Sequence, residues 1–455
     1  MKRIADRHIY SAAYKQGVDM MTELAQVRTA KMKRQRLLIF LGISAAYVIS
    51  YFHRSATAVV GPEIAATLGL DPAALGAMGS MYFWAYAGAQ LPAGVLADTW
   101  GPRKTMSVFV LIAAVGGALF ALSSNLPFLS LGRFLVGLGV GFIYVPAVRI
   151  MTDWYRPDEL ATYSGILLAV GNMGALVSAA PLVFMMGLMG WRNSFLVVSL
   201  FTLLAAFFCW TVVRNKPQDL GLPGPQEIRD VSPSPSAPKV ILKDALRAVF
   251  SNPQFYLLGF FMFCYYGTLM SVGSLWAGPY LQQVYALTKQ EAGNIIMMFP
   301  LGMVIGCPLS GFLSDKVFTS RKKILIWGAA LHTLSYVPLL AMPGQLSTTA
   351  LFALFLWYGV TGGAFVSNFA CAKETVRPEY AGTAVGAVNV FLFSGGAFFQ
   401  TIMGLVISLY PLTLQGVYSI EAYQAALAVP MAGLIAGTAA FAFFREKSEV
   451  RGSAD

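Results

Sequence analysis

Twelve apolar stretches, each long enough to cross a bilayer as a helix, fill most of this 455-residue chain. They run over about 37–58, 73–97, 104–123, 126–149, 160–186, 193–213, 254–282, 288–313, 324–342, 347–371, 381–408 and 421–444. A spanning helix needs roughly 20 mainly apolar residues, and lipid offers no hydrogen-bond partner to an irregular backbone. The pattern predicts an all-α polytopic membrane protein with twelve transmembrane helices. Composition agrees: 57% of residues are hydrophobic and 12% charged, whereas soluble domains carry roughly a quarter charged residues.

The net charge of +11 does not call for a nucleic-acid partner, because the cations are sorted by side. When alternate gaps are assigned to the two membrane faces, one face holds only Arg192 and Lys289, and Arg54 and Arg133 lie within spans. The remaining 28 of the 32 basic residues fall on the other face. Positive-inside sorting puts that face, and both termini, in the cytoplasm of a cell membrane. Residues 1–36 carry nine Lys or Arg and no apolar block long enough for a signal peptide. They read as a cytoplasmic tail, helical in part around Thr22–Arg36, with 445–455 as a second tail. The one long interruption, 214–251, is first Pro- and Ser-rich and then changes to KVILKDALRAVF. There Lys239, Lys243 and Arg247 oppose Leu242, Leu246, Val249 and Phe250, the pattern of a basic amphipathic helix at the cytoplasmic interface, coupling the two halves. The bundles on either side of this linker are 37–213 and 252–444.

Those bundles are related. GVLADTWGPRKT, from Gly94 to Thr105, has a degenerate copy in GFLSDKVFTSRKK; Gly94 and Gly311, like Asp98 and Asp315, stand 217 residues apart. Arg156-Pro157-Asp158 with Thr162 and Gly165 is echoed by Arg377-Pro378-Glu379 with Thr383 and Gly386 at a shift of 221. Tandem halves at one period are the mark of a duplicated transporter.

The first copy resembles the G-x-L-a-D-r-x-G-r-[KR] signature between spans two and three of major facilitator superfamily transporters. Gly94, Leu96, Ala97, Asp98, Gly101, Arg103 and Lys104 fall on it; Thr99 departs from the usual basic residue. The resemblance implies two pseudo-symmetric six-helix bundles around a central cavity. It also implies a gating role for Gly94, Asp98, Gly101, Arg103, Lys104, Gly311, Asp315 and Arg321. The matching aspartate of the family ties span two to the other half in the outward-facing state, which for Asp98 points to the start of span eleven near Gly382. Arg133 matches a second family motif, R-x-x-x-G, linked to coupling or to helix packing.

No Ser/His/Asp, Cys/His or metal-ligand constellation is present, and Cys209, Cys264, Cys307 and Cys371 show no ligand spacing. The chain is therefore expected to be no enzyme and to hold no cofactor or metal. Recognition must come from polar residues inside spans, which are costly there and face cavities. Tyr47, Tyr51 and Arg54 form one stripe of span one. Tyr82 and Tyr86, with Gln90 a turn on, do so on span two. Tyr265, Tyr266 and Trp276 of span seven, with Asn172, Asn368 and Asn389 of spans five, ten and eleven, complete the candidates. YVISYFHRSATAVVGPEI resembles the Y-x-x-x-Y-x-x-R stretch of organophosphate exchangers and anion:cation symporters. It departs from the former, whose second arginine is Tyr265 here, and from the latter in having no acid within RFLVGLGVGFIYVP. Every Asp and Glu lies in a gap, in a tail or near a span end, so Arg133, His53 and His332 are the candidates for coupling an ion.

The expectation is a secondary or facilitative transporter of a small, polar, anionic organic solute by alternating access, working as a monomer in the bilayer. A multidrug or metabolite exporter is the alternative within transport. A transporter-like ligand sensor is the alternative outside it, disfavoured by the lack of a folded extramembrane domain.

Overall fold

The computed structural model describes residues 2–222, 224 and 242–446, with side chains from Val27 onward except those of Arg28, Ala161 and Asp315. The Pro- and Ser-rich part of the linker and the C-terminal tail from 447 lie outside the described residues.

Eleven segments among the described residues are long and apolar enough to cross a membrane. Span one is the end of a 54-residue helix, Lys2–Ser55. Span two, Pro72–Thr99, is long enough at 28 residues but less apolar. Spans three and four are Pro102–Leu122 and Leu126–Trp154. Pro157–Val177 and Ala180–Val212 together make spans five and six, because the second breaks at Gly190, whose φ of 76° is not helical. Spans seven to twelve are Pro253–Val284, Lys289–Phe312, Arg321–Ala341, Thr348–Glu374, Pro378–Ser408 and Ile420–Phe441.

Local chemistry explains the ends. Proline occupies the first turn of spans two, three, four, five and seven, where its missing N–H costs nothing. Asp71, Asn125, Ser347 and Ser419 cap spans two, four, ten and twelve by accepting from backbone N–H groups. Between spans two and three the chain reverses at Gly101, where φ is 87°, a conformation that favours glycine.

Three sequence expectations are corrected. No break separates a tail at 36 from span one, since the helix runs through; Arg36 pairs with Glu159 at 2.7 Å and ties it to span five. Span one stops at Ser55 rather than 58, and a separate helix, Thr57–Leu68, follows. In the linker helix, Leu242–Phe250, the buried residues are Ala245 and Val249. That face docks on spans seven and eleven. The helix thus packs on the second half, while Leu242 and Phe250 stay exposed.

Two six-helix bundles result. Between them span two runs along span eleven, and spans one and five approach spans seven and eight. Glycine sets the approach both inside and between the bundles: a β-carbon at Gly174 would overlap the Val48 carbonyl within the first half, and one at Gly278 the Ala58 carbonyl across the two. Within span five, Gly171 and Gly174 allow close packing on span one, while a β-carbon at Gly165 would meet nothing. Spans six and nine turn large apolar side chains outward, among them Leu200, Phe201, Phe207 and Trp327, as a lipid-facing rim should.

The halves close on one face only. Away from the Gly94–Thr105 turn, Gly278 meets Ala58, Gly404 meets the Pro72 carbonyl, Gly293 meets Val183, and Lys289 pairs with Glu63 at 2.9 Å. Toward the face that carries the turn, Gly94, Gly165, Gly311 and Gly382 have nothing against them. Far-face glycines such as Gly187 and Gly416 are equally uncovered, so it is the gathering of the cross-half contacts there that marks the far face as sealed and the motif face as open. A leucine at Gly278 would force Ala58 away, so Gly278→Leu in a Cys-less background should expose a cysteine placed at Leu275, now buried, to a thiol reagent from the far face. Glu63→Gln removes only a solvent-exposed pair and should raise that labelling far less.

Candidate functional site

A cavity of about 320 Å³ lies between the halves. Its walls come from spans one, two, four and five of the first half and spans seven, eight, ten and eleven of the second. These sets correspond under the internal repeat, so the duplication builds the cavity as well as the bundles. Spans three, six, nine and twelve contribute no wall residue.

Arg54 is its charged element. The side chain is 6% exposed and sits just before the break at Ala56, one helical turn from the Ala58–Gly278 seal. Its Nη1 donates to the Tyr266 hydroxyl at 3.3 Å across the two halves. Its guanidinium carbon lies 4.4, 5.2 and 5.3 Å from the ring centres of Tyr51, Tyr86 and Phe393, within cation–π range. Its Nε has no protein partner, and no Asp or Glu lines the cavity. A buried cation without a counter-ion is costly; an anionic solute with two acceptor oxygens would offset that cost.

The stripe on span one is intact: Tyr47, Tyr51 and Arg54 all reach the cavity, with the Tyr47 and Tyr51 hydroxyls 3.5 Å apart. Tyr86, Asn172, Tyr266 and Asn389 reach it too. Asn389 Nδ2 donates to Gln90 Oε1 at 3.1 Å and so joins spans eleven and two.

Four other candidates do not line it. Tyr82 is buried against span four and donates to the Ser50 carbonyl at 3.2 Å. Tyr265 donates to the Thr361 carbonyl at 2.5 Å, inside the second half. The Trp276 indole donates to the Gln400 carbonyl at 3.0 Å, beneath the far-face seal. Asn368 is fully buried and donates to the Phe365 carbonyl. In each the polar group is met by a backbone carbonyl instead of by a solute.

Sequence reasoning missed half of the aromatic wall: Tyr144, Phe365, Phe369 and Phe393. Phe393 stands four residues after Asn389, on the same helix face, and that spacing was a usable signal. Tyr144 was hidden by the break at Phe142, which resets the helical phase of span four.

The coupling candidates lie outside the wall. The ring nitrogens of His53 are buried without partners, and His332 Nδ1 faces Thr361 Oγ1 at 3.1 Å. Arg133, 2% exposed, donates to the His53 carbonyl at 3.0 Å, close to the break in span one, under the Tyr82 ring. At the motif turn, Asp98 is largely exposed and stands 3.8 Å from Arg149 of its own half; it does not touch span eleven in this state. Arg103 is stapled to the Trp210 carbonyl and Asn215, and Lys104 is exposed. In the second copy, Arg321 pairs with Glu374, and Glu446 accepts from Ser320 Oγ and the Arg321 N–H. The side chain of Asp315 lies outside the described residues.

Arg133 and Arg54 should thus separate in experiment. Arg133→Gln removes a buried charge-assisted bond to a helix terminus, worth about 1.5–3 kcal/mol, and should lower the melting temperature of the purified protein. Arg54→Gln should leave it within a few degrees of the parent.

Residues 43–400 match the family model described as Major Facilitator Superfamily. The chain is 26% identical to a probable hexose phosphate transport protein of Chlamydia trachomatis, across 80% of this chain and 84% of that protein. It is 25% identical to a membrane sensor protein of Escherichia coli, across 83% and 87%. Its fold is similar to that of a bacterial homologue of the human lysosomal transporter Spinster in its inward-facing, unoccupied form. The TM-score there is 0.72 at 18% identity, covering 90% of this chain and 96% of that one. Together with the twelve long helices and the cavity they enclose, the match over most of the chain makes this protein a multi-pass membrane transporter belonging to the major facilitator superfamily.

Proposed function

We propose that the protein carries small organic anions across a cell membrane by alternating access, with Arg54 as the anion-gripping group. The observation that carries this reading is a buried guanidinium with a free Nε in a cavity that holds no carboxylate. Its fork accepts a carboxylate or sulfonate in two parallel bonds. Tyr266 brings the second half to the same group, so a bound anion is held by both bundles at once. Tyr47, Tyr51, Tyr86, Asn172 and Asn389 frame the solute. Asp98 acts on the conformational cycle rather than on the ligand, engaging the other half only once the motif face closes. The chain works as a monomer, with coupling to an ion left to groups such as His53, His332 or Arg133.

The basic face that carries the motif turns is cytoplasmic, which makes the present state inward-open. In a Cys-less background, cysteines at Ala66, Asn125 and Gly416 should react with an impermeant thiol reagent applied outside, and one at Thr319 should react only after the membrane is opened. Reversed labelling would overturn the orientation.

Lysine at position 54 keeps the charge but loses the fork. Arg54→Lys should weaken anion binding, and Arg54→Gln should cost on the order of 1.5–3 kcal/mol, roughly tenfold or more in affinity, with flux in proteoliposomes nearly abolished. Normal flux of an anion by Arg54→Gln would sink the reading. The sensor relative gives a second reading, binding without transport. Flux of a bound, labelled anion by the wild-type protein decides between the two.

A further inference from the structure

Spans two and eleven lie side by side across the two halves, and among the described residues two polar bonds join them. One is at the far face, where the Ala73 N–H donates to Ser408 Oγ at 2.9 Å. The other is in the cavity wall, where Asn389 Nδ2 donates to Gln90 Oε1 at 3.1 Å.

The level of this amide pair follows from helix geometry. Gln90 lies four residues from Tyr86 and Asn389 four from Phe393, each on the side of the motif turn. The Tyr86 and Phe393 rings are two of those that pack on Arg54, with centres 5.2 and 5.3 Å from its guanidinium carbon. Four residues of helix rise about 6 Å. Two helices from opposite halves thus put the pair one turn above the guanidinium, toward the mouth of the cavity.

Packing does not exhaust the pair. Each amide has two N–H donors and a carbonyl oxygen. Gln90 gives one N–H to the Tyr86 carbonyl at 3.2 Å and its oxygen to Asn389, which gives one N–H in return. One N–H on each residue and the Asn389 oxygen have no protein partner among the described residues. Both side chains are buried, so these groups need a partner once the cavity closes. Two donors and one acceptor are the complement of a single hydroxyl, which accepts twice and donates once. A second carboxylate would find no cation there, because Arg54 is the one charged residue of the wall. An ammonium would find too few acceptors for its three N–H groups.

We propose that Gln90 and Asn389 determine specificity by binding one hydroxyl of the solute, about 6 Å from the acid group that Arg54 grips, with a donor from each half. This rests on the reading of the chain as an organic-anion carrier and adds to it a hydroxyl at a set distance. A hydroxyl adjacent to the acid would lie at the level of the Tyr86 ring and miss the pair. A solute without one leaves the two N–H groups unmatched.

Three probes that share one ring test this: cyclohexanecarboxylate, its trans-4-hydroxy derivative, with the two groups at opposite ends, and its trans-2-hydroxy derivative, with the two adjacent. Wild-type protein should bind the 4-hydroxy acid roughly fivefold or more tightly than cyclohexanecarboxylate, with no such gain for the 2-hydroxy acid. Gln90→Met and Asn389→Leu keep the bulk of the side chain without the amide, and each should bring the 4-hydroxy preference close to unity. A bond that only packs spans two and eleven would instead lower the melting temperature when removed and leave that preference intact. Equal binding of the three acids by wild type, binding of none, or a preference that survives both substitutions would overturn the inference. The anion reading fails separately, if Arg54→Gln binds the 4-hydroxy acid as tightly as wild type does; if it holds, Arg54→Gln lowers affinity for all three.

Discussion

Backbone laid directly against backbone is the contact on which this molecule depends. Inside lipid, helices gain nothing from hiding hydrocarbon, so association rests on close packing and on the few polar bonds between them. At Gly137 against Tyr82, Gly174 against Val48, Gly395 against Phe263 and Gly278 against Ala58, the missing side chain lets two helix axes approach until the carbonyl of one fills the space of the other's absent β-carbon. The first three hold single bundles together. The fourth joins the bundles to each other, and it does so only at the far face. A seal of that kind at one end and open space at the other are what turn two packed bundles into a vessel with one mouth.

At the bottom of that vessel sits a charge without a counter-charge. Arg54 is stabilised there by the rings of Tyr51, Tyr86 and Phe393 and by the Tyr266 hydroxyl, none of which neutralises it. Because Tyr51 and Tyr86 belong to the first half and Tyr266 and Phe393 to the second, the proposed anion site is built by both halves together. A solute that binds one arrangement of the halves better than another shifts the equilibrium between them. The second buried arginine has the opposite character: Arg133 is turned into protein and spends its bond on the broken end of span one.

Much of the fold was legible in the sequence. The number of spans and the two halves followed from the lengths of apolar runs and the 217-residue repeat, because the thickness of the bilayer and the need to satisfy backbone hydrogen bonds leave little freedom. The stripe of Tyr47, Tyr51 and Arg54 was legible for a related reason: one helical phase runs unbroken through it, so spacing alone says that the three share a face. Where the phase is interrupted, spacing misled. The break at Phe142 hid Tyr144, whereas the turn at Gly190 falls inside the gap that the apolar runs leave between spans five and six.

Which polar residue meets solute and which meets backbone was decided by the tertiary structure alone. Tyr265 and Tyr266 are neighbours in sequence and alike in chemistry, yet one donates to Thr361 inside its own bundle and the other accepts from Arg54 across the cavity. Likewise Tyr82 and Tyr86 stand one turn apart, but span two also packs on span four, and that neighbour claims Tyr82. A one-dimensional pattern gives the direction of a side chain around its own helix; it does not say which neighbour lies in that direction. The sequence determined the spans, their pairing by duplication and the presence of an unpaired cation in span one. Only the packing of one bundle on the other decided that this cation stands in a cavity walled by both halves, among aromatic rings and three amides.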